Sequence, residues 1–178
     1  MLITWQHHDF SLLELDDRQL VDTCFNPLIQ AFKQVRIHNG DEAAFYDELT
    51  RGQQALFIFR VYYDHAMVSQ EELYWWSAYF YAQPRKWSAL KRGIEYLHAE
   101  DAFQLVTDIE HLLATREFPR QIDNFTITMK DLESDPPLLT AFEHYYTKFQ
   151  QLSDAAIQHA AQYIRGNLDE FVQRTSDS

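Results

Sequence analysis

Apolar residues crowd one stretch of this chain. From Thr50 to Trp87 it reads TRGQQALFIFRVYYDHAMVSQEELYWWSAYFYAQPRKW, and Leu56, Phe57, Ile58, Phe59, Val61, Tyr62 and Tyr63 follow one another with only Arg60 intervening. A helix so apolar around its circumference must be covered on most sides, and Arg60 then needs a carboxylate partner inside. Thr50 with Gln53, and Ser69 with Glu72, fit the box in which a hydroxyl caps an amide three residues on and the later side chain reaches back. The pattern therefore predicts two helices, Arg51 to Ala66 and Gln70 to Ala82, joined by a short turn. On the second, Leu73, Trp76 and Phe80 share one side and Trp75 and Tyr79 another. Eleven of the 27 aromatic residues lie between Thr50 and Trp87, and each removes roughly 150 to 250 Å² from water when buried.

The flanks continue in helical register. Residues 1–14 read as an irregular arm, with Trp5 and Phe10 against the body. Asp16 and Asp17 precede a helix from Arg18 to Phe25. Asn26 and Pro27 read as a cap and first-turn proline for a second helix ending at Ile37, and Asn39 and Gly40 stop it. A short acidic helix spans Asp41 to Leu49. After the hairpin Pro84 is a stop, and helices follow over Trp87 to Leu97 and Ala99 to Thr115, the latter with Phe103, Val106, Leu112 and Leu113 inward and Asp108, Glu110 and His111 outward. Periodicity fails from Glu117 to Pro137. Phe125 to Met129 alternate like a strand, but no second run offers a ladder, so the segment reads as extended loop. A helix then opens near Ser134 and runs to about Gln151, and Ser153 caps another that stops at Gly166 and Asn167. Leu168 to Val172 add one turn before a frayed tail over residues 173–178.

These elements predict an all-α fold, a compact multi-helix bundle around a central aromatic hairpin, with residues 1–178 forming a single domain. One cysteine, Cys24, excludes an internal disulfide and reads as a small buried apolar side chain. The start of the chain lacks a secretory signal, no apolar run reaches membrane-spanning length, and the expectation is a cytoplasmic protein beginning near Met1.

Charge changes the picture. The chain carries 27 acidic and 15 basic residues, a formal net charge of −12, which disfavours direct binding to nucleic acid or anionic membranes. The distribution is uneven: residues 51–94 hold 3 acids and 6 bases, whereas residues 95–143 hold 11 and 3. Acidic faces of this kind either keep a protein soluble or meet a basic partner.

Catalytic chemistry finds little support. Four glycines, at 40, 52, 93 and 166, cannot form a glycine-rich phosphate cradle. No histidine pair has the spacing that places two imidazoles on one helical face, and His7, His8 and Asp9 read as exposed. Asp64 and His65 read as helix-end groups, and no serine occupies a strand-to-helix elbow. Glu71 with Glu72, Glu100 with Asp101, and Asp16 with Asp17 lie near helix starts, where free amides favour negative charge. No catalytic, cofactor-binding or metal-ligating residue is assigned.

Three stretches carry a resemblance: LTRGQQALFIFRVYYDHAMVSQEELYWWSAYFYAQ, SALKRGIEYLHAEDAFQLVTDIEHLL and FEHYYTKFQQLSDAAIQHAAQYIRGNLDEFV. In order and character they resemble the acidic DNA-mimic proteins of bacteria, over about residues 45 to 172. The departure is the turn at Val68, Ser69 and Gln70, where that family has Asn, Gly, Gly. The resemblance implies a non-enzymatic helical protein whose carboxylates stand in for DNA phosphates against a basic or DNA-binding protein partner. The carboxylates expected to face it are Glu100, Asp101, Asp108, Glu110, Glu117, Asp131, Glu133 and Asp135. Two alternatives remain open: a metal-dependent or hydrolytic enzyme with histidines and carboxylates in a cleft between the arm and the hairpin, and an oligomer, such as a homodimer, using the aromatic hairpin as its interface.

Overall fold

The structure, a computed structural model, describes residues 12–172. The expected positions of Trp5, Phe10, His7, His8, Asp9 and the tail lie outside the described residues. Within them are eight α-helices and no strand, so the all-α reading holds.

Helix α1 runs Asp17–Ile37 and begins with a two-way capping box, the Asp16 carboxylate accepting from the Gln19 amide at 2.8 Å and the Gln19 side chain accepting from the Asp16 amide at 3.3 Å. The break predicted at Asn26 and Pro27 is absent, and the proline sits inside one continuous helix. An interior proline costs about 3 kcal/mol. Leu20, Val21, Cys24, Phe25 and Leu28 form a buried stripe on both sides of it, and each such side chain contributes roughly 1.5 to 3 kcal/mol on burial. Packing therefore outweighs the local break.

After the short α2 (Glu42–Asp47), capped by Asp41, come α3 (Arg51–Ala66) and α4 (Gln70–Tyr81). Thr50 and Gln53 make the predicted box. At α4 only half of it forms: Ser69 accepts from the Glu72 amide at 3.2 Å, but the Glu72 carboxylate turns to accept from Trp76 Nε1 at 2.8 Å. Pro84 opens α5 (Pro84–Tyr96) as its first residue, so that helix starts earlier than Trp87. Helix α6 spans Glu100–Thr115. Residues 125–129 form no strand, in line with the extended-loop reading, and the one-turn α7 (Asp131–Ser134) was not predicted.

The last helix, α8, runs unbroken from Pro136–Gly166. Ser153 does not cap: its hydroxyl donates back to the Gln150 carbonyl at 2.9 Å, while Phe149, Ala156, Ile157 and Ala160 carry the buried stripe past it. A 3-10 turn, Leu168–Glu170, follows.

Helix α3 is the axis of the bundle, packed against α1, α4 and most extensively α5. Its crossing with α5 is close because of Gly93: a methyl there would lie 2.8 Å from Ile58 Cγ2 and 3.2 Å from the Ala55 carbonyl oxygen. Rings fill the space around α3. Phe57 meets Phe25, Phe32 and Phe45, and Tyr62 meets Phe80 and Phe149 at centroid distances between 5.2 and 6.3 Å. Arg60 finds the partners its burial demands, Asp22 at 2.6 Å and Asp64 at 3.0 Å, with its guanidinium 4.9 Å over the Phe25 ring. Asp64 thus serves Arg60 rather than the helix end, and His65 stacks on Trp76 at 3.8 Å. Cys24 is buried, and burial pushes its thiol up to about 12.

Candidate functional site

The acid-rich segment is laid out along α6, and its buried stripe fixes which carboxylates face out. Ala102, Leu105, Val106, Ile109 and Leu113 are buried, while the predicted inward residues Phe103 and Leu112 are half-buried. At the first turn Glu100 and Asp101 are exposed, where the free amides of a helix start favour them. At the far end α6 stops in a reversal that places Glu117 at φ 56°, its amide bonded to the Ala114 carbonyl and that of Phe118 to the Leu113 carbonyl. Glu117 occupies a position that usually falls to glycine, and its side chain is exposed.

The other expected carboxylates are engaged within the protein. Asp108 faces α8, accepting from Gln104 at 2.7 Å and lying 3.5 Å from Lys148 Nζ. Glu110 turns to the opposite flank, 2.7 Å from Lys91 on α5 and 4.0 Å from Arg120. Asp131 accepts from the backbone and hydroxyl of Thr128, both at 2.9 Å. Asp135 caps α8 through the Leu138 amide at 3.0 Å and forms an ion pair with Arg116. Glu133, on α7, is exposed.

The Arg116–Asp135 pair ties the end of α6 to the start of α8, so Glu117 and Glu133 belong to one end of the molecule and Glu100 with Asp101 to the other. The sixteen residues of α6 at 1.5 Å each separate the two groups by roughly 24 Å. The eight carboxylates do not form one row. None of Glu100, Asp101, Glu117 and Glu133 has an ion-pair partner among the described residues. Behind the loop the Tyr74 hydroxyl is buried, and burial, then the fields of Asp131 and Asp135, push its phenol well above the usual range.

Sequence reasoning passed over a second carboxylate site. Glu170, in the 3-10 turn, accepts from the Gly52 amide at 2.6 Å and the Tyr163 hydroxyl at 2.5 Å, with Tyr96 Oη at 3.5 Å. The Thr50 hydroxyl donates to the Glu170 carbonyl at 2.6 Å, and Phe171 lies so close that a methyl on Gly52 would stand 2.8 Å from its ring. Burial and the bond to Glu170 push Tyr163 far above its usual range. The signal in the sequence was Gly52 in a first helical turn, an ordinary sign of close approach.

Of the cleft expected between the arm and the hairpin, His7, His8 and Asp9 lie outside the described residues. No three of His, Cys, Asp and Glu stand as metal ligands among the described residues. A cavity of about 10 Å³ between α3, α5, α6 and α8 is walled by residues such as Phe59, Tyr62, Val106 and Phe149 and by no histidine. Among the described residues no helix is long and apolar enough to cross a membrane.

No protein-family model matches this sequence, and no curated protein or solved structure matches it either. The resemblance to DNA-mimic proteins therefore rests on the three quoted stretches.

Proposed function

We propose that the protein is a non-catalytic cytoplasmic binding protein that presents carboxylates at the two ends of α6 to a basic protein, of the kind that binds DNA. One observation carries this reading. Three cations near the acidic segment are neutralised internally, Arg116 by Asp135, Lys91 by Glu110 and Lys148 by Asp108, whereas Glu100, Asp101, Glu117 and Glu133 are left to solvent. None of these four has an ion-pair partner among the described residues, and exposed charge of one sign steers an oppositely charged partner and sets its salt dependence.

The test uses the purified protein and an E100Q/D101N/E117Q/E133Q variant as baits in extract of the native host, at low and high salt. Retained proteins are identified by mass spectrometry. The expected result is a lysine- and arginine-rich DNA-binding protein held by the parent at low salt, released at high salt, and lost by the variant. Equal retention by both baits, or retention indifferent to salt, sinks the proposal.

A further inference from the structure

The turn between α1 and α2 holds two residues that neither the core nor the acidic surface uses. His38 caps α1, and Asn39 takes φ 51°. The Asn39 amide donates to the Arg36 carbonyl at 3.1 Å and the Gly40 amide to the Val35 carbonyl at 2.8 Å, the two bonds of a Schellman turn. Asn39 and Gly40 are both exposed. The second residue has to be small, because a methyl on Gly40 would lie 2.9 Å from Val35 Cγ1.

An asparagine side chain is open to attack by the backbone nitrogen of the next residue, and any side chain on that residue hinders the approach. The chain has four asparagines. Asn26 precedes Pro27, whose nitrogen has no hydrogen to lose. Asn124 precedes Phe125 and Asn167 precedes Leu168, and the Asn167 side chain is itself held, donating to the Tyr163 carbonyl at 2.9 Å. Asn39 alone is followed by glycine.

We propose that Asn39 is a site of spontaneous deamidation, which the fold holds back and which, once complete, unlocks α2. The Gly40 nitrogen gives up its proton and bonds to Asn39 Cγ. The bond from Cγ to Nδ2 breaks, and ammonia leaves with that proton. One water then opens the cyclic imide at either carbonyl, giving aspartate or isoaspartate. The bond from Gly40 to Val35 holds the proton that must leave, so the reaction waits for the turn to open. The products close it poorly. Isoaspartate adds a methylene to the backbone and carries the Gly40 amide out of register with Val35, while aspartate puts a negative charge at a helix C-terminus. Helix α2 has no buried residue of its own. It is held by Phe45 and Tyr46, half-buried against Phe57 at 5.8 and 6.3 Å, and by the exposed Arg36–Glu42 pair at 3.3 Å. This inference does not depend on the carboxylates of α6.

The experiment ages the full-length protein in warm, mildly alkaline buffer, folded and in urea, and digests it with trypsin. Cleavage after Arg36 and Arg51 gives the peptide 37–51, in which Asn39 is the one asparagine. The expected result is the amide-to-acid gain in mass in this peptide, ahead of those carrying Asn124 and Asn167, with isoaspartate detected by an isoaspartyl methyltransferase. The folded protein should react about fivefold or more slowly than the unfolded chain, the factor that corresponds to one hydrogen bond of about 1 kcal/mol. In the converted folded protein, hydrogen exchange should quicken over residues 42–47 and stay unchanged over residues 55–63. Four outcomes overturn the proposal. They are a peptide that keeps its amide in urea, equal conversion at Asn39, Asn124 and Asn167, aspartate formed without isoaspartate, and equal rates in the folded and unfolded protein. Unchanged exchange over residues 42–47 after conversion overturns the unlocking of α2.

Discussion

Arg60 donates to Asp22 across 2.6 Å, from α3 to α1, with 9% of the arginine side chain exposed against 42% of the aspartate. The imbalance in burial predicts an imbalance in mutational cost. Removing both carboxylates, D22A/D64A, leaves a buried guanidinium uncompensated and is expected to cost about 3 to 5 kcal/mol. R60M leaves two aspartates that still reach water and fills the same space with an apolar chain, so its cost should fall below about 2 kcal/mol. Urea unfolding of the two variants decides it, and equal losses would contradict the burial argument.

Glu170 fastens the C-terminal turn to the start of α3. E170Q keeps the shape but surrenders the charge that strengthens its bonds from Gly52 and Tyr163, and is expected to cost about 1 to 3 kcal/mol. Limited proteolysis should detach the turn in E170Q before the rest of the bundle opens. A variant as stable and as resistant as the parent would show that Phe171 alone holds the segment.

Two glycines make a matched pair. At Gly93 an added methyl meets Ile58 at 2.8 Å, whereas at Gly166 it meets nothing within 4 Å. Overpacking costs about 1 to 3 kcal/mol, more than the roughly 0.5 to 1 kcal/mol a helix gains from alanine. G93A should therefore lower the melting temperature, and G166A should leave it unchanged or raise it. Differential scanning calorimetry separates the two.

Cys24 gives a pH dependence of defined sign. Its thiol is raised from 9.0 to about 12 by burial, so between these values the unfolded chain ionises while the folded chain does not. Its contribution to stability is intact below pH 9 and is lost progressively as pH rises towards 12. Stability curves of the parent and C24A should converge across that window as the pH rises, and a thiol reagent should react slowly until denaturant is added. Rapid labelling of the native protein would place Cys24 at the surface.

The sequence alone determined the helical class, the central hairpin and most helix starts. Thr50 with Gln53, Ser69 before Glu72, and Asp41 before Ala43 act across two or three residues, and such bonds form wherever the chain carries them. It also identified Arg60 as needing a partner, though not which. The tertiary structure decided what depends on distant neighbours. Burial against α3 carried α1 through Pro27, and the stripe on α8 carried that helix past Ser153, because packing over many residues exceeds one local penalty. The same holds for the acidic surface. Composition placed eleven acids in one segment, but whether each faces solvent depends on cations brought near it by folding: Lys91 to Glu110, Lys148 to Asp108, Arg116 to Asp135. Ion pairing follows distance in space, and a linear chain encodes that distance only through the fold.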